Sequence, residues 1–406
     1  MPPPGPITLT LWHSETGAAR QTLEALALDF HKAYPDLTVT PVYVGDEGEM
    51  TKKLVAAIAM DQPPDVILVP RQTIPQFVRQ EGLVPLDDLR ADPSLGLSAD
   101  DQADLLPGIM DEGSFVEFDN QSYAFPFDLN GMVLFYNADL LQAGSFAPPA
   151  TWADFADAAG KLTKDNQFGW AMNIDSDVLT GMLVSQGSAP IDMPERHALL
   201  GERGGLAALT LAAQLQSAGA AQLEDTRADA IQDFATGNAA FYMDWMSAFP
   251  ELLAARTGAN KNFTIGVSNL PQADPQDSYI LFTGSDLALC QTTPDRERRA
   301  WFLIRWLTAS SQTARWARTT QSIPLRASAL TILAQDPANA SLVLQIQKSL
   351  SNTTPHFVPL STNPHIAAID RLMENAWRQS LQPKADIPSL LKNAATDANA
   401  ILAGNQ

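Results

Sequence analysis

The sequence predicts a doubly wound α/β fold, because strand and helix patterns alternate over its first 70 residues. Residues 7–11 alternate in polarity as a half-buried strand does, and apolar side chains recur every three or four positions in 23–30. Residues 38–44, 50–60 and 65–69 continue the order as strand, helix and strand. The short apolar run 65–69 is typical of a parallel sheet. Such alternation produces a parallel sheet with helices on both faces.

The rest of the chain continues in both kinds of element. Its 406 residues suit two domains of ordinary size, and 45% hydrophobic residues can build their cores. Predicted strands cover 132–136, 168–172, 239–243, 263–267 and a broken pair in 280–290. Helices are predicted over 206–215 and 294–307, and the chain beyond is rich in helix.

Composition excludes several classes of function. The formal net charge is -20, with 46 acidic against 26 basic residues. Nucleic acids and anionic membrane surfaces both attract basic proteins, so neither is an expected partner. The single Cys290 stands in an apolar run and cannot form an internal disulfide, which predicts a buried structural thiol. The proline-rich residues 1–6 lead directly into a strand, and we expect that a signal or lipid-anchor region preceded them.

Motifs for cofactor chemistry are not found in the sequence. The five histidines lack metal-ligand spacing, and the chain has no phosphate loop, dinucleotide fingerprint or Gly-x-Ser-x-Gly elbow. We therefore expect no cofactor and no metal. Carboxylates are abundant, so a glycosidase pair stays open as the main enzyme alternative.

Six segments, in order, resemble one known family. They are 9–14, 30–39, 63–66, 124–141, 149–155 and 234–240. Together they are similar to the extracellular solute-binding proteins of family 1, which include receptors for maltose, trehalose and glycerol-3-phosphate.

The resemblance implies a type II periplasmic-binding-protein fold with discontinuous lobes. The N-terminal lobe would comprise 1–126 with 262–309, and the C-terminal lobe 127–261 with 310–406. It further implies a monomeric, non-enzymatic receptor of an ABC importer, periplasmic or extracellular and membrane-associated, which closes on its ligand by a hinge motion and delivers it to transmembrane permease subunits. The expected ligand is a mono- or disaccharide, with glycerol-3-phosphate or a glycerophosphodiester as the alternative. A protein of the same fold that has lost its ligand is a third possibility.

Ligands of doubly wound sheets lie at the carboxyl ends of the strands, which directs attention to the loops there. In the first half of the chain the candidates for ligand contact are His13, Ser14, Glu15, Asp46 and Arg71. The alternatives are helix capping by Ser14 or Thr16 with Glu15 stabilising the positive end of the helix, a solvated turn for Asp46 and a surface ion pair for Arg71.

Candidates in the later strand-end loops rest partly on the resemblance. They are Asp128, Asn130, Asn173, Asp175, Asp244, Trp245, Gly284, Ser285, Asp286 and His356. Asp128 could instead hold the chain crossing through an Asx turn. Trp245 follows its strand and corresponds to a family tryptophan that stacks on sugar, and Gly284 would let backbone N–H groups approach the ligand. The chain lacks the family's phosphate-ester tryptophans near Asn173 and an arginine near His356, which favours sugar.

Overall fold

A computed structural model describes the chain over residues 6–106, 113–192, 197–336, 356–361, 363 and 365–404. Within these ranges the strands are β1 (Ile7–His13), β2 (Leu37–Tyr43), β3 (Val66–Pro70), β4 (Ser114–Phe115), β5 (Gln121–Ser122), β6 (Phe125–Pro126), β7 (Asn130–Asn137), β8 (Phe168–Asn173), β9 (Ile191–Asp192), β10 (His197–Ala198), β11 (Ala221–Glu224), β12 (Ala239–Trp245), β13 (Ile265–Asn269), β14 (Tyr279–Thr283), β15 (Ser285–Leu289) and β16 (His356–Pro359).

The α-helices of the same ranges are α1 (Gly17–Ala33), α2 (Glu47–Ala59), α3 (Ile74–Val78), α4 (Asp87–Ala91), α5 (Ala99–Ala103), α6 (Ala138–Gly144), α7 (Trp152–Leu162), α8 (Ser176–Val184), α9 (Arg203–Ser217), α10 (Arg227–Ala235), α11 (Phe249–Gly258), α12 (Pro294–Leu307), α13 (Ser310–Thr320), α14 (Ala327–Ala334), α15 (Ile366–Ser380) and α16 (Ile387–Ala403). The strand–helix–strand–helix–strand order predicted for the first 70 residues is confirmed. None of the helices in the described part of the chain is long and apolar enough to cross a membrane.

Residue contacts divide the chain into two units, the first formed by residues 1–130 and 283–343 and the second by 131–282 and 344–406. The sequence-based lobes differ from these units at 262–282, whose strands β13 and β14 lie in the sheet of β7, and at 310–334. In the structure α13 packs on α1, where Arg315 Nη1 lies 2.8 Å from Asp29 Oδ2 and the hydroxyls of Thr22 and Thr319 are 3.1 Å apart. These contacts assign α13 to the first unit.

The first unit contains a five-stranded sheet in the order β2-β1-β3-β15-β6. β1, β2 and β3 are parallel, whereas β15 runs antiparallel to both β3 and β6. Alternate residues of β1 are buried, and the first four residues of β3, the central strand, are all buried, as expected for a strand covered on both faces.

The second unit contains a seven-stranded mixed sheet in the order β11-β8-β12-β7-β14-β16, with β13 also paired to β7. β8, β11 and β12 are parallel, and β7 is antiparallel to β12. Its core is aromatic: Phe155 lies 5.7 Å from Trp170 and 5.1 Å from Phe241 between ring centroids, and Trp377 of α15 packs near Trp170. This core packs against the middle of β8 and β12.

Cys290 follows β15 and is fully buried, as the sequence predicts. Burial, with a smaller contribution from Asp65, raises the pKa of its thiol. Since the thiolate is the reactive form, we expect a thiol reagent such as Ellman's reagent to leave the native chain unmodified and to titrate one thiol after denaturation. Stoichiometric reaction of the native chain within minutes would contradict this burial.

Candidate functional site

The sheet of the first unit brings predicted residues to one edge. β1 and β3 are parallel and end at His13 and Pro70. β15 starts at Ser285, which lies opposite Pro70, and β6 ends at Pro126, opposite Asp286. The carboxyl ends of β1, β3 and β6 and the start of β15 therefore share the edge at which such sheets carry ligands. The predicted residues there, called the first strand-end cluster, are His13, Ser14, Glu15, Asp46, Arg71, Asp128, Gly284, Ser285 and Asp286.

His13 is fully buried at the end of β1. Its Nδ1 accepts a hydrogen bond of 3.2 Å from the backbone N–H of Glu15, so the neutral ring carries its proton on Nε2. Burial, assisted by the charge of Arg20, lowers the pKa of His13 to about 4. Nε2 has no hydrogen-bond partner within the described residues. The imidazole is therefore a neutral, buried group at the end of β1, and its contact with a ligand stays a prediction.

Ser14 and Glu15 are half-buried after this turn. The residue that precedes α1 is Thr16, which makes no side-chain capping bond, so the predicted capping alternative is not what holds this turn. Burial, followed by the charges of Asp128 and Glu47, raises the pKa of Glu15 to about 7. Two polar side chains thus remain at the edge.

Asp46 differs from Ser14 and Glu15 because its side chain makes a hydrogen bond to the nearby backbone. Its Oδ1 accepts a 2.8 Å bond from the backbone N–H of Glu49 and caps α2. The side chain is exposed. The structure accounts for Asp46 as a helix cap.

Arg71 forms a buried contact with Asp286, in place of the surface ion pair considered from sequence. Its Nη1 lies 3.9 Å from Asp286 Oδ2, its Nη2 donates to the carbonyl of Ser114 at 3.0 Å, and the guanidinium lies 4.5 Å from the Phe115 ring centroid. Burial raises the pKa of Asp286 to about 7, opposed by Arg71 and assisted by Asp128. The contacts with Asp286, Ser114 and Phe115 thus fix the Arg71 side chain among acidic residues.

Asp128 fastens the backbone around it. Its Oδ1 accepts a 2.9 Å bond from the backbone N–H of Ser285, and its Oδ2 accepts a 2.7 Å bond from Nε1 of Trp316. A Cβ added to Gly284 would lie 2.2 Å from the Asp128 carbonyl oxygen, so close backbone approach explains this glycine. These contacts support the structural alternative for Asp128. They also explain Gly284 by close packing against the backbone of Asp128, whereas the sequence analysis explained it by approach of a ligand.

The second unit has a corresponding edge. β8 ends at Asn173 and β12 ends at Trp245, and the two strands are parallel. β7 begins at Asn130, and its Met132 lies opposite Trp245. The polar and aromatic residues there, called the second strand-end cluster, are Asn173, Asp175, Asp177, Asp244 and Trp245. Asn130, the first residue of β7, belongs to the first unit.

Asp175 caps α8 at this edge. Its Oδ1 accepts bonds from the backbone N–H groups of Asp177 at 2.8 Å and Val178 at 3.2 Å. Asn173, the last residue of β8, is buried. The sheet and the helix cap therefore set the positions of both residues.

Asp244 uses both carboxylate oxygens within the protein. Oδ2 accepts from Arg227 Nε at 2.8 Å and from the Tyr242 hydroxyl at 2.6 Å, and Oδ1 accepts from the backbone N–H of Trp245 at 2.7 Å. Arg227 also bonds Glu251 at 2.9 Å. Burial raises the pKa of Asp244, opposed by the Tyr242 and Arg227 contacts. Asp244 therefore fixes the backbone position of Trp245, the residue that follows it.

Trp245 itself is half-buried, and its indole Nε1 donates a 3.1 Å bond to Oδ2 of Asp177. Sequence reasoning did not name Asp177. The signal available was an acidic residue in the first turn of a helix that starts at a strand-end loop, two positions after a named candidate. Such residues are common at helix starts, and only the fold brings this one to the tryptophan.

His356 lies elsewhere in the second unit. It pairs with Tyr279 at the start of β14, stacks on the Tyr279 ring at 4.7 Å and bonds Asp277 at 3.0 Å. Its side chain is exposed. The contacts found in the described residues link it to neither strand-end cluster, and those same residues contain no arrangement of His, Cys, Asp and Glu suited to a metal ion.

A model of the bacterial extracellular solute-binding protein family matches residues 25–341. The chain belongs to this family of extracellular receptors, as the sequence resemblance indicated. The sn-glycerol-3-phosphate-binding periplasmic proteins of Rhizobium meliloti and Agrobacterium fabrum are 29% and 30% identical over 158 and 155 residues. These stretches cover 38% and 37% of this chain and 36% and 34% of the relatives, so the matches span about a third of each relative.

Solved structures are similar over nearly the whole chain. The sugar-binding protein MalE of Xanthomonas citri has a TM-score of 0.82 at 20% identity and covers 98% of each chain. UgpB of Mycobacterium tuberculosis, in complex with glycerophosphocholine, has a TM-score of 0.75 at 20% identity and covers 99% of this chain and 100% of its own. The predicted type II periplasmic-binding-protein fold is confirmed.

Proposed function

We propose that this protein is the extracytoplasmic receptor of an ABC importer and that its ligand is a mono- or disaccharide. The observation that carries the proposal is the half-buried Trp245, which stands beside polar strand-end residues in the second strand-end cluster. A sugar presents hydroxyl groups to polar side chains and C–H faces to an aromatic ring. Asn173 is the polar residue of this cluster that we propose for hydroxyl contact. Ser14 and Glu15 are the corresponding candidates in the first unit.

The charges of the two clusters favour a neutral ligand. In the first, Arg71 lies against Asp286, and Glu15 and Asp128 add further carboxyl groups. In the second, Arg227 is engaged by two carboxylates. A phosphate group calls for cations that are available to it, and repulsion by carboxylates weakens its binding.

The alternative ligand is glycerol-3-phosphate or a glycerophosphodiester. It is favoured by the similarity to periplasmic proteins whose names specify sn-glycerol-3-phosphate. For either ligand we propose a monomeric binder without catalytic turnover that acts in the periplasm or at the cell surface and works with transmembrane permease subunits. Incubation with oligosaccharides and assay for new reducing ends tests the glycosidase alternative, since turnover would contradict a pure binding role.

Ligand identity can be tested by mass spectrometry of ligand that co-purifies with the chain, followed by a thermal-shift panel. The panel contains maltose, trehalose, glucose, glycerol-3-phosphate and glycerophosphocholine. A ligand at 100 times its Kd stabilises the folded chain by about 2.7 kcal/mol. Stabilisation by a sugar alone supports the proposal, stabilisation by the phosphates alone supports the alternative, and no shift with any of them favours a protein that has lost its ligand.

Replacement of Trp245 with alanine is expected to weaken sugar binding at least ~10-fold, because a stacking face is lost. Calorimetry with the sugar selected by the panel measures the effect. Trp152→Ala is the matched control: Trp152 is also half-buried in the second unit, but its indole bonds Ser185 at 3.2 Å and lies outside the cluster. Unchanged affinity in Trp245→Ala would show that the proposed stacking residue is wrong.

A further inference from the structure

Trp245 is held at two points by two different carboxylates. Its backbone N–H donates to Asp244 Oδ1 at 2.7 Å, and its indole Nε1–H donates to Asp177 Oδ2 at 3.1 Å. The first bond fixes the main chain at the end of β12. The second fixes the edge of the ring, which the main chain alone leaves free to rotate about the side-chain torsions.

The positions of both Asp244 and Asp177 are fixed by further hydrogen bonds. Asp244 accepts bonds from Arg227 and Tyr242 through its other oxygen. Asp177 stands in the first turn of α8, and its backbone N–H is bound by the capping carboxylate of Asp175. Trp245 is thus fixed to strand β12 through its backbone N–H and to helix α8 through its indole nitrogen.

The indole N–H is the single hydrogen-bonding group of the tryptophan side chain, and a bond to this edge of the ring leaves the ring faces available for stacking. A ring that is already oriented loses less conformational freedom when a ligand binds. Loss of that restraint on one side chain would weaken binding by roughly three- to tenfold.

We propose that Asp177 is a positioning residue for ligand binding, which acts by orienting the Trp245 ring and makes no ligand contact of its own. This inference rests on the proposed sugar-binding function. It assigns a role to a residue outside the strand-end candidates that the sequence identified, and it predicts that Asp177 matters only while Trp245 is present.

The protonation of Asp177 provides a readout of its hydrogen bond with the Trp245 indole. The pKa of Asp177 is raised to about 6: burial and then the negative charges of Asp175, Asp244 and Glu374 raise it, and the hydrogen bond from Trp245 opposes them. Asp370 of α15 also interacts with this group. A charged acceptor forms a stronger hydrogen bond than a neutral one. Protonation of Asp177 therefore weakens the hydrogen bond that it accepts from the Trp245 indole.

The bond can be tested without ligand by fluorine NMR of the chain labelled with 5-fluorotryptophan. The Trp245 resonance is assigned as the one lost in Trp245→Phe. We expect it to shift with pH with a midpoint near 6 in the parent, to lose that titration in Asp177→Asn and to move in Asp177→Ala, while the Trp152 resonance stays in place. A Trp245 resonance that is unchanged in both Asp177 variants would overturn the proposal.

The consequence for binding can be tested by calorimetry with maltose as the probe in a double-mutant cycle. Asp177→Ala is expected to weaken binding roughly three- to tenfold in the parent and to have no further effect in Trp245→Ala. Asp177→Asn, whose amide oxygen can still accept the N–H bond, should keep most of the affinity. Equal losses from Asp177→Ala in both backgrounds would mean that Asp177 contacts the ligand directly, which contradicts the positioning role.

The two experiments separate this inference from the proposed function. If maltose does not bind the parent chain, the result counts against maltose as the ligand, and the NMR titration still decides whether Asp177 holds the ring. If maltose binds but the resonance ignores Asp177, the receptor function stands and the positioning role is wrong.

Discussion

Replacement of Asp65 with alanine is expected to lower the free energy of unfolding of the first unit by about 3–5 kcal/mol. Asp65 is buried just before β3 and accepts two bonds of 2.6 Å from Arg296 of α12. It also accepts the backbone N–H of Thr10 at 2.7 Å and the Thr10 hydroxyl at 3.1 Å. The substitution leaves the Thr10 N–H and the guanidinium without this partner, and unpaired buried groups are costly.

Asp295→Ala is the matched control for this prediction. Asp295 also pairs with an arginine of α12, Arg299 at 3.0 Å, but its side chain is exposed. Pairs of this kind contribute about 0–1 kcal/mol. Urea unfolding followed by circular dichroism measures both variants, and similar losses for Asp65→Ala and Asp295→Ala would show that burial of the Asp65 network does not determine its contribution.

The stability of the first unit is expected to fall as the pH rises from 5 to 8, by on the order of 2 to 4 kcal/mol through Glu15 and Asp286. Burial raises the pKa of each carboxyl to about 7, above the values of about 4 expected in the unfolded chain. The folded state therefore binds more protons than the unfolded state in this interval. The stabilisation is fully present below the unfolded pKa and is lost as the pH passes through 7.

Urea unfolding at pH 5, 6, 7 and 8 tests this sign. Glu15→Gln and Asp286→Asn should each flatten the decline, because the amide does not ionise. Glu24→Gln is the control, since Glu24 is an exposed residue of the same unit. A parent chain that gains stability from pH 5 to 8, or variants that follow the parent, would mean that these two carboxyls titrate at ordinary values in the folded chain.

Both strand-end edges followed from the sequence because they depend on local pattern. Alternating polarity located β1 and a short apolar run located β12, and polar residues near the strand ends had to lie at the edge where parallel strands end. His13 and Trp245 lie at such strand ends. His356 was assigned without such a pattern, and the structure places it beside Asp277 and Tyr279 instead.

The use of each polar group was beyond sequence reasoning, because a carboxylate can serve a ligand, a helix cap or a neighbouring side chain. Asp46 and Asp175 cap helices, Asp128 is bound by Ser285 and Trp316, and Asp244 is bound by Arg227 and Tyr242. Partners such as Trp316 lie 188 positions away from the residue they bind. No local pattern contains that information.

By itself, then, the sequence determined the α/β class, the family and the edges of the sheets, since these follow from periodicity and from ordered motifs along the chain. Tertiary structure alone decided which polar groups are already satisfied by the protein and which remain at the strand ends. The physical reason is that hydrogen bonding and desolvation depend on neighbours brought together by folding: Asp177 becomes the anchor of Trp245 only because α8 starts beside the end of β12.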